Sequence, residues 1–329
     1  MIKYWIISGV LLSAGAAAQV EPWISVPPET EEEDDDGRIV GGDPAEPGSA
    51  LWQIQIYSTV KYTPEDLIKD NKLADGHPDK IYIAKRDDYE LSHRCGGSYI
   101  GNGWILTAAH CLNVPKGSNF MTDRRVRMGT QNLKAGGATF AIDTAVKHIA
   151  YSKGKNDVAL IKVRDDGQIA KLTVAGRLAK VPMHLTSDPK LYANEELRVT
   201  GWGFTGARDR ASFNRMDSGN RVQNNPVILR QVAINYRADK VCKNAPDYKD
   251  IWTAKSLCAG SADPGKDSCI GDSGGPLTRL QKGERVLVGV VAFGIGCAYK
   301  GIPGVYMRVS AYQDWIAKAK LASKGYFEK

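Results

Sequence analysis

The segment Lys266–Leu277, "KDSCIGDSGGPL", places Ser273 among three glycines. One acid, Asp272, lies beside it and another, Asp267, six residues upstream. A surface loop needs turn residues but has no reason to assemble that combination. A serine hydroxyl becomes a nucleophile only when a positioned base takes its proton and a carboxylate orients that base. Two other segments offer those groups. "ILTAAHC" sets His110 after an apolar strand and beside Cys111, and "NDVALIKV" sets Asp157 at the mouth of another. Each piece alone is weak, because a lone histidine is usually structural and an aspartate before a strand is usually a turn residue. Their joint occurrence in the order His, Asp, Ser is specific, and it differs from the Ser, Asp, His order of the GxSxG hydrolases.

The rest of the chain agrees with an exported β protein. It has 329 residues, 43% hydrophobic and 25% charged, enough for a substantial core. "LWQIQIYS" alternates apolar and polar residues, and "RVRMG", "DVALIKV", "LRVTGWG", "RQVAINY" and "VLVGVVAFG" are short and β-branched, all reading as strands. The only strong helical periodicity is terminal, in "VSAYQDWIAKAKLASKG", with Tyr312, Trp315, Ile316 and Ala319 on one face. Many short strands and one closing helix suggest antiparallel barrels or sandwiches.

Residues 1–18 resemble a signal peptide, with an apolar run after Lys3 and a small-residue Ala16–Ala18 site. No later segment reaches the ~20 apolar residues of a membrane span. Cys95, Cys111, Cys242, Cys258, Cys269 and Cys297 make an even set, as expected of disulfides in an exported chain, although six cysteines permit 15 pairings. No CxxC pair occurs and the five histidines are scattered, which argues against a zinc site. Residues 19–38 are proline-rich and acidic and read as an extended, solvated propeptide. Residues 1–38 hold two basic and eight acidic side chains, a net −6, so the formal +7 of the whole chain becomes +13 for residues 39–329. The basic residues are dispersed without aromatic interleaving, so no nucleic-acid or membrane partner is expected.

"RIVGG", "GGSYIGNGWILTAAHC", "NDVALIKV", "GWG", "CAG", "DSCIGDSGGPL" and "PGVYMRV" together resemble the chymotrypsin-type serine proteases, trypsin above all. The resemblance spans Ile39 to about Ala319. It implies an all-β fold of two six-stranded antiparallel barrels with a C-terminal helix and an active site between the barrels. By the same resemblance, Ser273 attacks the peptide carbonyl, His110 is the base and Asp157 its orienter, while the Gly271 and Ser273 amides form the oxyanion hole. Asp267 matches the floor of the primary pocket, with Ser268 beside it and Gly294 and Gly304 on its walls, which favours Arg or Lys in the substrate. Cleavage after Arg38 would free the amino group of Ile39 to pair with Asp272. The implied disulfides are Cys95–Cys111, Cys242–Cys258 and Cys269–Cys297. The implied protein is a secreted monomeric endopeptidase without a cofactor, met by peptide substrates and protein inhibitors. The competing reading is a catalytically weak relative that acts as a binding protein.

Several features depart from the family. Ala292 and Phe293 replace a usual Ser-Trp, so Asp157 is expected to lose one hydrogen bond. The Tyr57–His93 segment is much longer than usual; it carries a helix start at Thr63 and Pro64, and "KIYIAK" reads as a short strand after it. By resemblance this segment would border the leaving-group side of the cleft. The long polar segment after Gly203 carries four arginines and is expected to be nicked by the protein's own activity. "MGTQNLKAGG" has no acid where the family's calcium loop needs them, so no calcium is expected. Gly37–Arg38 stands where trypsinogens carry aspartate-lysine, which makes an enteropeptidase-type activator doubtful.

Overall fold

The computed structural model describes residues 41–77, 79–152, 154–205, 225–261, 265–294, 296–298 and 302–325. The signal, propeptide and Arg38–Ile39 expectations, and most of the arginine-rich segment, lie outside them.

Strand β1 (Asp43–Pro44) precedes two barrels. The first contains β2 (Gln53–Ser58), β3 (His93–Gly101), β4 (Trp104–Thr107), β5 (Arg124–Met128), β6 (Ala138–Lys147) and β7 (Ala159–Val163), closed in the order β2-β3-β4-β7-β6-β5. The second contains β8 (Glu196–Gly201), β9 (Arg230–Arg237), β10 (Ser256–Gly260), β11 (Pro276–Gln281), β12 (Glu284–Phe293) and β13 (Gly304–Arg308). Its order is β9-β10-β13-β12-β11-β8, with β8 returning to pair with β9, and β1 adds to the outside of β9. Every pairing between these strands is antiparallel, and closure removes the unpaired edges that an open sheet would expose. The expected pair of six-stranded barrels is the architecture found.

Apolar side chains fill each barrel, and strands such as β7 and β12 bury both faces. Ile54, Ile56, Ile105, Val126, Met128, Leu160 and Ile161 are fully buried in the first, and Leu197, Val199, Leu257, Leu277 and Tyr306 in the second. Alternation alone would turn the glutamines of β2 to water, yet Gln53 and Gln55 are buried as well. Gln53 accepts a hydrogen bond from the Thr200 hydroxyl of the second barrel at 2.7 Å, and Gln55 Nε2 lies 3.3 Å from His93 Nδ1. The second face of β2 is thus covered by protein.

The terminal helix, Gln313–Gly325, follows a 3-10 turn, Val309–Tyr312; the turn buries Tyr312 and the helix buries Ile316 and Ala319. A second helix, Gln168–Val174, was not visible as a periodic pattern. It starts from Gly167 at φ +93°, with Asp165 accepting from the Gly167 and Ile169 amides.

The long insertion is ordered. Thr63 caps the helix Pro64–Lys72 through a reciprocal capping box with Asp66, as its sequence predicts. "KIYIAK" is not a strand. Ile83–Lys85 forms a 3-10 turn, and Tyr82 adopts φ +55°. The reason is Asp70, a buried carboxylate that accepts the amides of Ile81, Tyr82 and Ile83 at 2.7, 3.2 and 2.9 Å, the groups a strand would offer to a neighbour. Lys80 closes the module from the other side, donating to the carbonyls of Asp70 and Leu73 at 2.9 and 2.8 Å.

Candidate active site

Three chain segments, far apart in sequence, converge between the barrels. β4 runs through the buried Ala108 and Ala109 into the 3-10 turn Ala109–Leu112, which presents His110. The Cys95–Cys111 disulfide ties that turn to β3. Asp157 precedes β7 and is only 2% exposed. Its Oδ1 accepts the His110 backbone amide at 2.8 Å, and its Oδ2 faces His110 Nδ1 at 2.7 Å. One carboxylate therefore fixes both the position and the ring of the histidine. A proton held on Nδ1 leaves Nε2 as the basic atom. Ala292, buried at the end of β12, brings no hydroxyl to this carboxylate, and Phe293 packs edge-on against Tyr248, with ring centroids 5.9 Å apart.

Ser273 lies in the turn that enters β11. Its carbonyl accepts the Gly96 amide at 2.8 Å, a bond between the barrels. Cys111 Sγ lies 3.7 Å from both His110 Nε2 and the Ser273 carbonyl, so histidine and serine share one corner. Gly274 has φ +77°, and a Cβ there would stand 2.1 Å from Thr107 Oγ1 and 2.7 Å from the Gly96 carbonyl. Only glycine allows this approach. Gly271, at φ +100°, packs closely on Gly203 and Asn225, where a Cβ would lie 3.0 Å from each.

The neighbouring acids are both buried. Asp272 is fully enclosed and accepts the amides of Cys269 and Gly203, each at 2.8 Å. Glycine at 201 and 203 makes room for it, since Cβ atoms there would lie 2.0 and 2.3 Å from its oxygens. Burial, partly offset by those two amides, pushes its pKa up to about 6. Asp267, 5% exposed, accepts from the Ser268 and Ala298 amides at 2.8 and 3.2 Å. Burial first, against those donors, pushes its pKa up to about 7. Ser268 Oγ lies 3.0 Å from the Tyr306 hydroxyl. Gly304 leaves space beside Asp267, because a Cβ there would come within 3.4 Å of its Oδ1, and Gly294 faces Gly304 across the gap. Cys269–Cys297 and Cys242–Cys258 complete the three disulfides. Cys95, His110 and Cys111 cluster closely enough to suggest a metal site, but the two sulfurs are bonded to each other.

Four further residues shape the site without a sequence signal of their own: Tyr306, His93, Glu90 and Asn225. His93 is buried and held neutral, its pKa pushed down to about 4 by burial. Its Nε2 donates to the Gly271 carbonyl at 2.9 Å. The insertion approaches the same peptide, and a cavity of about 160 Å³ between them is lined by Tyr62, Arg86 and Glu90 on one side and by Phe204, Ile270 and Gly271 on the other.

Two closed barrels joined at a Ser–His–Asp corner define a chymotrypsin-like serine protease fold. The chain belongs to the trypsin family, whose pattern matches residues 39–316. It is 30% identical to coagulation factor XI of Bos taurus over 282 residues, 85% of this chain and 37% of that protein. It is 33% identical to the proclotting enzyme of Tachypleus tridentatus over 241 residues, 69% of this chain and 58% of that one. Trypsin 5G1 of Aedes aegypti is 32% identical over 229 residues, 68% of this chain and 74% of the relative. The match therefore spans less than two thirds of each of the first two relatives.

Proposed function

We propose that the protein is a secreted serine endopeptidase that cuts after arginine or lysine and is activated by cleavage after Arg38. The observation that carries this reading is the double contact of Asp157 with His110 beside the Ser273 turn. In this reading, Ser273 Oγ bonds to the scissile carbonyl carbon while His110 Nε2 takes the hydroxyl proton. The carbonyl electron pair becomes an oxyanion received by the Gly271 and Ser273 amides. His110 then protonates the leaving amine as the C–N bond breaks, and water repeats the sequence to free the acyl group. Asp157 stabilises the imidazolium throughout. One lost oxyanion donor typically costs ~3 kcal/mol of transition-state stabilisation.

Selectivity rests on Asp267, with Ser268 beside it and Gly294 and Gly304 lining the approach. A buried carboxylate whose donors among the described residues are all neutral, two backbone amides and the Ser268 hydroxyl, is matched by a guanidinium or ammonium group, not by an apolar side chain. The proposed organisation is a signal peptide (1–18), an acidic propeptide (19–38) and a protease domain (39–329). The freed Ile39 amino group is proposed to pair with Asp272, whose buried charge otherwise leans on two amides. The active form is proposed to be a monomer needing no cofactor and answering to protein inhibitors.

The test is N-terminal sequencing of matured protein, active-site titration, and hydrolysis of Arg-, Phe- and Ala-ended chromogenic amides. Ile39 at the N-terminus, a stoichiometric acyl-enzyme and cleavage of the Arg substrate alone are expected. Silence from protein that begins at Ile39 would favour the binding-protein reading.

A further inference from the structure

The insertion between β2 and β3 grips both flanks of the peptide that carries Gly271. On one flank, the Arg86 guanidinium lies over the Phe204 ring, 5.2 Å from its centroid, and the Phe204 amide donates to the Ile270 carbonyl at 2.8 Å. On the other, the Tyr89 hydroxyl donates to the Asn225 carbonyl at 2.9 Å, and the Asn225 amide donates to Glu90 Oε1 at 3.1 Å. Asn225 is itself buried, donates through its side chain to the Trp202 carbonyl, and packs against Gly271: a Cβ on that glycine would lie 3.0 Å from Asn225 Nδ2. The insertion then leads directly into His93, which holds the Gly271 carbonyl.

The grip is rigid at its own end. Glu90 is buried, and its second oxygen accepts the Asp87 amide at 2.9 Å, closing the capping box of the short helix Asp88–Ser92. Further along, Asp70 and Lys80 tie the rest of the module together. A loop serving only as a tolerated surface excursion would not need a buried carboxylate aimed at a backbone amide 135 residues away.

We infer that the insertion is a brace for the oxyanion loop, with Tyr89 and Glu90 as positioning residues that act on the Gly271 peptide through Asn225. The inference rests on the protease reading, because it concerns where the Gly271 amide points when charge develops on the substrate oxygen. A small displacement of such a donor weakens transition-state binding more than substrate binding.

The test compares matured wild type with Tyr89→Phe, Glu90→Ala, Glu90→Gln, Asn225→Ala and the Glu90→Ala/Asn225→Ala pair. The probes are an Arg-ended chromogenic amide, a peptide argininal aldehyde and benzamidine. The aldehyde adds Ser273 Oγ and places its oxygen in the oxyanion site, whereas benzamidine occupies only the Asp267 pocket. For Glu90→Ala, kcat should fall roughly tenfold at near-constant KM, less than the loss of a whole donor. Aldehyde affinity should fall by the same factor and benzamidine affinity should hold. Tyr89→Phe should show a smaller loss of the same kind, and Glu90→Gln, which keeps one acceptor oxygen, should recover part. The double variant should lose no more than the worse single one. Equal changes in aldehyde and benzamidine affinity, an additive double variant, or a fall in melting temperature with unchanged kcat would overturn the brace. Wild type that never acylates overturns the protease reading and the brace with it. Wild type that acylates beside variants of unchanged kcat overturns the brace alone.

Discussion

Binding of a cationic ligand beside Asp267 should be strongly pH-dependent. The carboxyl is 5% exposed, has two amide donors at 2.8 and 3.2 Å, and titrates at about 7 because burial disfavours its charge. On the proposed selectivity benzamidine pairs with this carboxylate, so below that pKa the free protein must first give up a proton. Each pH unit below about 7 should then raise Kd tenfold, about 1.4 kcal/mol. Between pH 8 and pH 5 the loss comes to roughly a hundredfold, about 3 kcal/mol. Isothermal titration at pH 5, 6, 7 and 8, repeated at pH 6 in buffers of different ionisation enthalpy, measures both quantities. Release of close to one proton per ligand is expected at pH 6. Asp267→Asn serves as the control: it should bind weakly, with little pH dependence. A Kd flat from pH 5 to 8, or an unchanged slope in Asp267→Asn, would refute the assignment of the titration to this carboxyl.

Four further outcomes follow from the structure. A carboxyl whose pKa is raised on folding destabilises the fold where it is charged, and that penalty fades as pH falls towards the unfolded value near 4. Asp267→Asn should therefore melt above wild type at pH 8, with the gap shrinking by pH 4, as followed by calorimetry. Gly274→Ala should abolish or severely destabilise the fold, because its Cβ meets Thr107 Oγ1 at 2.1 Å. Gly283→Ala, at φ +83° with open space around it, should cost only the left-handed penalty of ~1–2 kcal/mol in chemical denaturation. Asp70→Ala strips the acceptor from three amides at ~1–3 kcal/mol each, so the insertion should open. Hydrogen exchange should show the amides of residues 81–83 losing protection while those of β2 keep theirs.

What was legible from residues alone was what short-range chemistry specifies. The Thr63 cap, the turn glycines about Ser273 and the terminal helix each announce themselves within a few positions. The barrels followed from the resemblance, because the strand pattern allowed sandwiches as well. The misreadings share one cause. "KIYIAK" looks extended until a carboxylate ten residues upstream takes its amides, and the glutamines of β2 look solvent-facing until another barrel covers them. The helix at Gln168 begins on a left-handed glycine and shows no clear apolar stripe.

The corner itself joins His110 to Asp157 across 47 residues, and the Gly271 carbonyl to His93 across 178. A sequence can supply those groups, but their distances depend on where closed barrels bring loop ends together. The contacts of Glu90 and Tyr89 with Asn225 belong wholly to that second kind. Nothing near either residue in the chain calls for the other, and their partnership exists because a folded insertion has a neighbour to lean on.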